Sequence, residues 1–226
     1  MGTLTKELIY VGDPMCSWCY GFAAAKKKLE DQCAGRAVTT LVVGGLHIDW
    51  TAPQDAERKK FLDTHWREIG ERSGQPFKFD ILERDDFVYN TEAACRAVVT
   101  ARELEGNAVA LSFFTYIQSA FYAENQDVTE DDILIDLADE FGFDKTRFAP
   151  LFTSEEMVQK TIMDFQFARR LGVNGFPTIV INDKNGYAYL TVGFQDYNIL
   201  EPVVEAWLTG ALPDRLAAEQ QGAHPG

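Results

Sequence analysis

The hydrophobic positions of the first 45 residues predict a strand, a helix and a second strand. Residues 8–12 form a short apolar run that is typical of a buried strand. Apolar residues then recur at helical spacing, so a helix is expected over residues 16–34. The β-branched run Val38–Val43 predicts the second strand, which Gly44-Gly45 closes.

Helical periodicity continues through residues 51–171. Thr51 and Pro53 are residue types that begin helices, so the first helix of this block is expected to start there and to end near Ser73. Further helices are expected at residues 91–105, 108–123, 130–141 and 153–171, with Thr129 and Thr153 as the N-caps of the last two.

Strand signals return near the C-terminal end of the chain. Residues 178–182 and 187–192 are rich in β-branched and aromatic residues, and the Asn185-Gly186 dipeptide before the second run is typical of a hairpin. A closing helix is expected at residues 197–208, followed by a frayed tail at residues 213–226.

This order of elements predicts an α/β protein. Parallel first strands need a crossover helix, and an antiparallel hairpin with a final helix completes a two-layer sheet. The order β-α-β, helices, β-β-α is that of the thioredoxin-like fold with a large all-helical insertion. We therefore expect a discontinuous thioredoxin-like domain of residues 1–50 and 172–212 around an insertion domain of residues 51–171.

Composition and charge exclude several classes of protein. The chain has 226 residues, of which 46% are hydrophobic, so it is long enough to bury a substantial core. No apolar stretch reaches the roughly 18 residues of a membrane span. Acidic residues number 35 against 21 basic ones, and the net charge of −14 disfavours nucleic acid and membrane surfaces as partners. The first residues lack the apolar core of a secretory signal, so a cytoplasmic location is expected.

Two of the four cysteines form a C-x-x-C motif at the exit of the first predicted strand. The free N–H groups of a helix's first turn stabilise an anion, so Cys16 is placed to react as a thiolate. One helical turn sets Cys19 beneath it as a more buried resolving thiol. Ser17 is expected to donate a hydrogen bond to the thiolate, and Trp18 to contact substrate. The pattern predicts a dithiol redox pair.

Two other interpretations of this motif are a zinc site and a purely structural pair of buried cysteines. A second C-x-x-C motif is absent from the sequence, and His47, His65 and His224 lie 18 and 159 positions apart, outside zinc-ligand spacing. The position between a strand and a helix disfavours a purely structural pair. We therefore predict no metal and no cofactor beyond the redox-active pair, with glutathione as a candidate co-substrate.

Three segments resemble the DsbA-like thioredoxin-fold thiol–disulfide oxidoreductases. DPMCSWCYGF at residues 13–22 and GVNGFPT at residues 172–178 are similar to the C-x-x-C and cis-proline segments of that family. NTEAACRA at residues 90–97 resembles the NTxxAHRx segment of its cytosolic FrnE-like branch, whose members include predicted protein-disulfide isomerases, with Cys95 in place of histidine. The resemblance covers most of residues 7–210.

The resemblance implies a role for each matching residue. Cys16 would be the nucleophile, Cys19 the resolving thiol and Pro177 a cis-proline that faces them. From the residues alone, a proline that starts a strand is also explained as an edge device. Phe176 stands where smaller residues are usual and would narrow the substrate groove. Tyr10 occupies the position of a buried acid that is thought to assist proton transfer in many relatives.

Other conspicuous residues are expected to have structural roles. Cys33 and Cys95 lie on apolar helix faces, where a free cysteine packs as a small hydrophobe. Trp18, Tyr20 and Phe22 are different, because they flank the reactive thiol and form a candidate apolar surface for unfolded polypeptide.

The predicted function is disulfide exchange, by an oxidoreductase or isomerase, with protein thiols and disulfides or small thiols as partners. One alternative is a non-catalytic adaptor or holdase that binds a partner in the same groove. Another is a glutathione-dependent isomerase of the hydroxychromene-carboxylate type. That class usually has serine in place of the first cysteine, so the intact pair argues against it.

Overall fold

The computed structural model describes residues 6–212, and within them four strands form one sheet in the order β2-β1-β3-β4. The strands are β1 (Glu7–Gly12), β2 (Val38–Val43), β3 (Thr178–Asp183) and β4 (Gly186–Val192). β1 runs parallel to β2 and antiparallel to β3, and β3 pairs antiparallel with β4. Strand order and direction confirm the predicted thioredoxin-like α/β fold.

Nine helices accompany the sheet within residues 6–212, and none of them is both long enough and apolar enough to cross a membrane. Two connect β1 to β2: α1 (Ser17–Gly21) and α2 (Ala23–Cys33). The segment between β2 and β3 forms α3 (Ala56–Ser73), α4 (Asp80–Glu83), α5 (Glu92–Tyr122), α6 (Asp131–Phe141), α7 (Lys145–Phe152) and α8 (Glu155–Arg170). The last helix, α9 (Tyr197–Thr209), follows β4.

The single helix predicted over residues 16–34 is wrong, because α1 and α2 are separate helices with Phe22 between them. The Phe22 side chain is fully buried, with its ring stacked on Tyr10 at 6.4 Å between centroids and edge-on to Phe194 at 6.1 Å. Anchoring this ring in the core divides a segment whose local pattern favours one continuous helix, so tertiary packing overrides propensity here.

Three predicted helix starts are wrong by one to four residues. α3 begins after Asp55 rather than at Thr51, because the Asp55 carboxylate accepts a hydrogen bond from the Arg58 N–H at 2.8 Å. α8 begins after Ser154, whose hydroxyl accepts from the Met157 N–H at 3.3 Å, while Thr153 ends α7. In the same way Glu130, rather than the predicted Thr129, precedes α6. The tail predicted at residues 213–226 lies outside the described residues.

β1 is one of the two inner strands of the sheet and is buried on both of its faces. Leu8 and Tyr10 face the main core, together with both cysteines of the C-x-x-C motif. Ile9 and Val11 face a smaller core that includes Ala168 of α8. The alternation of a strand thus places Tyr10 on the same side of the sheet as Cys16 and Cys19.

Candidate active site

The C-x-x-C motif lies where β1 gives way to α1. The chain leaves β1 at Gly12, and Cys16 is the N-cap residue of α1. A turn closes this connection, since the Cys16 N–H donates to the Asp13 carbonyl at 3.0 Å. The Cys16 carbonyl accepts the first helical hydrogen bond, from the Tyr20 N–H at 3.0 Å. Cys16 therefore stands directly before the first turn of a short helix.

The two thiols are unbridged and unequally buried. Cys16 retains 5% of its surface exposed, whereas Cys19 has none. The Cys16 thiol donates a long hydrogen bond to the Phe176 carbonyl, with 3.7 Å between sulfur and oxygen. Burial raises the pKa of Cys19 well above that of an ordinary thiol, and the neighbouring Cys16 raises it further. The geometry thus combines an outer thiol with a shielded, protonated one.

The segment directly before β3 lies against Cys16, because β3 is the strand next to β1. The Phe176–Pro177 peptide bond is cis, and the Thr178 hydroxyl donates to the Gly175 carbonyl at 2.7 Å, which closes the turn. The Phe176 ring lies over Gly44, where a Cβ atom would come within 2.1 Å of two ring carbons. This contact explains glycine at position 44, to which the sequence pattern assigned only the end of a strand.

The residues between the two cysteines occupy different environments. Ser17 is 8% exposed, and within the described residues the Cys16 thiol bonds to the Phe176 carbonyl rather than to the Ser17 hydroxyl. Trp18 is half-buried, and its ring lies 5.6 Å from His65 and 5.6 Å from Phe194.

The apolar surface predicted from Trp18, Tyr20 and Phe22 is wrong for two of its three members. Tyr20 is 2% exposed and Phe22 is fully buried, so both belong to the core. Trp18 instead shares its surface with Phe194, which comes from the loop between β4 and α9.

A cation that sequence reasoning missed lies over these two rings. The Arg72 guanidinium carbon is 5.7 Å from the centroid of Trp18 and 4.8 Å from that of Phe194. Arg72 is exposed near the end of α3, and no carboxylate in residues 6–212 forms an ion pair with it. Nothing in the sequence connects Arg72 with Trp18, because 54 positions separate them.

Asp13 is a fully buried carboxylate that ties the C-x-x-C turn to its neighbours. It accepts hydrogen bonds from the Met15 N–H at 2.8 Å, the Leu46 N–H at 2.7 Å and the Thr91 hydroxyl at 2.7 Å. The Cys95 thiol is its fourth donor. Asp13 therefore connects β1, the loop after β2 and the start of α5 at one point.

Two tyrosines hold the other side of the turn. Tyr89 and Tyr122 donate hydrogen bonds to the Met15 carbonyl at 2.5 and 2.6 Å, and their hydroxyl oxygens lie 3.0 Å apart. Both side chains are buried, and both come from the segment between β2 and β3. The residue directly before Cys16 is thus fixed through its N–H by Asp13 and through its carbonyl by these hydroxyls.

The histidines of the described chain are engaged with aromatic rings. His47 stacks on Trp50 with 3.6 Å between ring centroids, and burial, followed by the charge of Arg58, lowers the pKa of His47 to about 4. His65 lies between Trp18 and Phe61. No three His, Cys, Asp or Glu side chains in residues 6–212 are grouped so that they could hold a metal ion. His224 lies outside these residues.

Solved structures that share this architecture include thiol–disulfide oxidoreductases and a 2-hydroxychromene-2-carboxylate isomerase. A protein from Nitrosomonas europaea, provisionally assigned as a protein disulfide isomerase, is 33% identical, with a TM-score of 0.82 over 91% of this chain and 98% of that one. The cytosolic disulfide reductase DsbM from Pseudomonas aeruginosa, solved with GSH, shares the fold at 24% identity and a TM-score of 0.73, over 90% of this chain and 99% of DsbM.

Among curated proteins, the ClpXP adapter protein SpxH of Bacillus subtilis is 22% identical over 200 residues, which are 88% of this chain and 66% of SpxH. The chain thus spans about two thirds of the length of this relative. The thioredoxin family model matches residues 9–202. The chain therefore belongs to the thioredoxin family, and the helices between its second and third strands give it the DsbA-like form of that fold.

Proposed function

We propose that this protein is a cytoplasmic thiol–disulfide oxidoreductase or isomerase that exchanges disulfides with protein thiols or small thiols. The observation that carries the proposal is the 3.7 Å contact between Cys16 Sγ and the Phe176 carbonyl. It places the more exposed thiol of the C-x-x-C motif against the backbone that precedes Pro177, where an extended substrate could pair with the Phe176 N–H and carbonyl. Cytosolic DsbM, which shares the fold, supports the location.

The reaction follows from the unequal burial of the two thiols. As a thiolate, Cys16 attacks one sulfur of a substrate disulfide, the substrate S–S bond breaks, and the first substrate thiolate leaves and takes up a proton. Cys19 then loses its proton and attacks Cys16 Sγ. The second substrate thiolate leaves and is protonated, and a Cys16–Cys19 disulfide remains. Two electrons pass from the cysteine pair to the substrate, and the reverse sequence oxidises a dithiol.

The surface beside Trp18 supports glutathione as a co-substrate. Trp18 and Phe194 offer apolar contact, and Arg72 offers a cation that no carboxylate of the described chain neutralises. Glutathione carries two carboxylates, which would pair with the Arg72 guanidinium, and a thiol, which would exchange with the cysteine pair. DsbM, which shares this fold, has been solved with GSH.

A second candidate function is that of a non-catalytic adaptor. The curated relatives SpxH are ClpXP adapter proteins, and their likeness to this chain covers most of its length. An adaptor would hold its partner through non-covalent contacts, so it would not depend on either cysteine.

Reduction of insulin by dithiothreitol separates the two functions. We expect the protein to accelerate the precipitation of insulin chains and Cys16→Ala to abolish the acceleration. Cys33→Ala is the matched control, because Cys33 is also a buried free cysteine but lies at the end of α2, outside the C-x-x-C motif. A folded wild-type protein that gives no acceleration would contradict the enzymatic function and favour the adaptor.

A further inference from the structure

The side chain of Tyr10 ends in a buried hydroxyl that makes no hydrogen bond within residues 6–212. Tyr10 is 1% exposed, on β1, an inner strand of the sheet. Buried hydroxyl groups are nearly always paired, because an unpaired one has lost its water without compensation. Disulfide exchange through Cys16 and Cys19 alone gives this donor no role.

The hydroxyl lies at the end of β1, beside the C-x-x-C turn. A Cβ atom on Gly12, the last residue of β1, would come within 2.9 Å of the Tyr10 oxygen. The thiol of Cys19 packs in the same buried core, on the same side of the sheet as Tyr10. Burial raises the pKa of Tyr10, charge on Cys19 raises it further, and hydrogen bonding from Tyr10 favours the thiolate of Cys19.

Lys26 of α2 adds a positive charge over the tyrosine ring. Its Nζ lies 5.8 Å from the Tyr10 ring centroid, and the side chain is 4% exposed. Nζ donates to Glu30 at 2.8 Å and to the Leu111 carbonyl at 3.1 Å. Burial lowers the pKa of Lys26, whereas Glu30 and, more weakly, charge on Cys19 raise it. The lysine is therefore within electrostatic range of the resolving thiol.

We propose that the Tyr10 hydroxyl donates a hydrogen bond to the Cys19 thiolate when that thiolate forms, and that Lys26 is a nearby cation that also stabilises it. This inference rests on the proposed oxidoreductase function. A neutral thiol is a weak acceptor, so the hydroxyl stays unpaired while Cys19 is protonated. When Cys19 loses its proton to attack the mixed disulfide, the thiolate becomes a strong acceptor and the bond forms.

The protons balance in this step, and Tyr10 keeps its own proton throughout. Cys19 releases one proton, and the departing substrate thiolate takes one up. The bond that forms is between Cys19 and Cys16 sulfurs, and the bond that breaks joins Cys16 to the substrate. Tyr10 lowers the barrier by stabilising the negative charge on Cys19 before the new bond forms.

Several titratable groups surround Cys19 and contribute to any pH dependence. Cys16 lies on the same turn, Tyr10 on β1, Lys26 and Glu30 on α2, and Tyr89 before α5. Deleting the Tyr10 hydroxyl removes no hydrogen bond from the protein in which both cysteines are free thiols, so this substitution is the cleanest test.

The test is the stopped-flow reaction of the reduced protein with 5,5′-dithiobis(2-nitrobenzoate), which separates the two steps. Attack by Cys16 releases one coloured thiolate, and resolution by Cys19 releases the second. For Tyr10→Phe we expect the first phase to be unchanged and the second to slow about tenfold, the effect of losing one hydrogen bond to a charged group. The midpoint of the pH–rate profile of the second phase should move to higher pH in this variant. Lys26→Met should slow the second phase in the same direction.

Tyr116→Phe is the matched control, because its hydroxyl bonds Glu140 at an exposed site between α5 and α6. A second phase in Tyr10→Phe with the rate and pH profile of wild type would overturn the inference and leave the enzymatic function intact. A wild-type protein that releases no second thiolate would instead overturn the oxidoreductase function itself. Circular dichroism and urea unfolding of Tyr10→Phe establish that a slowed phase belongs to a folded protein.

Discussion

The thiol of Cys95 donates a hydrogen bond to the carboxylate of Asp13, with 3.4 Å between Sγ and Oδ2 and 82 positions between the residues. Cys95 is fully buried, as expected for a cysteine that packs in a core. Its thiol has a second use, because it helps to solvate a carboxylate that water does not reach. Asp13 in turn fixes Met15, the residue before the nucleophile.

Asp13 should make stability depend on pH. Burial raises its pKa in the folded state, and its hydrogen bonds only partly oppose this rise. The folded protein therefore binds the proton more tightly than the unfolded chain, so the contribution of Asp13 is most favourable at low pH and is lost as pH rises through the raised pKa. We expect the stability of wild type relative to Asp13→Asn to fall from pH 4 towards pH 7. Urea unfolding across that range measures it, and a constant difference would contradict the assignment.

Removal of the resolving thiol should trap substrates. Without Cys19, the mixed disulfide on Cys16 has lost its intramolecular escape, so Cys19→Ala should accumulate covalent adducts on non-reducing gels of cell extracts. Cys16→Ala should give none, since Cys19 has no exposed surface. Equal adduct levels in the two variants would contradict the assigned roles.

Arg72 should matter for thiols that carry a carboxylate. Arg72→Glu replaces an attraction by a repulsion at an exposed site, so the reduction of the oxidised pair by glutathione should slow about three- to tenfold. Cysteamine, which has no carboxylate, should react at an unchanged rate. Arg147→Glu on α7 makes the same charge change at an exposed position of a different helix. Equal slowing in both variants would show a general charge effect instead of a binding site.

Cys33 should not take part in exchange. It is fully buried, and burial raises the pKa of its thiol to about 11, so it stays protonated at neutral pH. Cys33→Ala should lower the free energy of unfolding by about 1 kcal/mol, as small core deletions do, and leave insulin reduction unchanged. Loss of activity in a variant that unfolds cooperatively would assign this thiol a redox role.

Local patterns were sufficient for the sheet and for the position of the cysteine pair. β1 and β2 are short apolar runs, and the motif at the exit of β1 is a contiguous segment that can be identified without tertiary information. The sequence does not single out the caps of α3 and α8, because more than one residue of suitable type lies near each helix start. Thr153 and Ser154 are both residue types that cap helices well, and in the structure Thr153 ends α7 while Ser154 caps α8.

The surroundings of the site could not be predicted, because their contacts join distant parts of the chain. Asp13 meets Leu46 and Thr91, and Trp18 meets Arg72, through the placement of α3 and α5 against the sheet. Contacts between such distant residues leave no periodic pattern in the sequence. The unpaired hydroxyl of Tyr10 is likewise visible only in three dimensions, because it depends on what surrounds the ring in the folded protein.

The two tyrosine hydroxyls that bond to the Met15 carbonyl constrain how such a protein can evolve. Tyr89 and Tyr122 come from the helical segment, while Met15 belongs to the strand–turn–helix that carries the thiols. A protein shortened to its sheet and flanking helices would leave this carbonyl without either donor. The helical segment cannot be exchanged for an unrelated one as a free module, because part of the redox turn's scaffold is inherited with it.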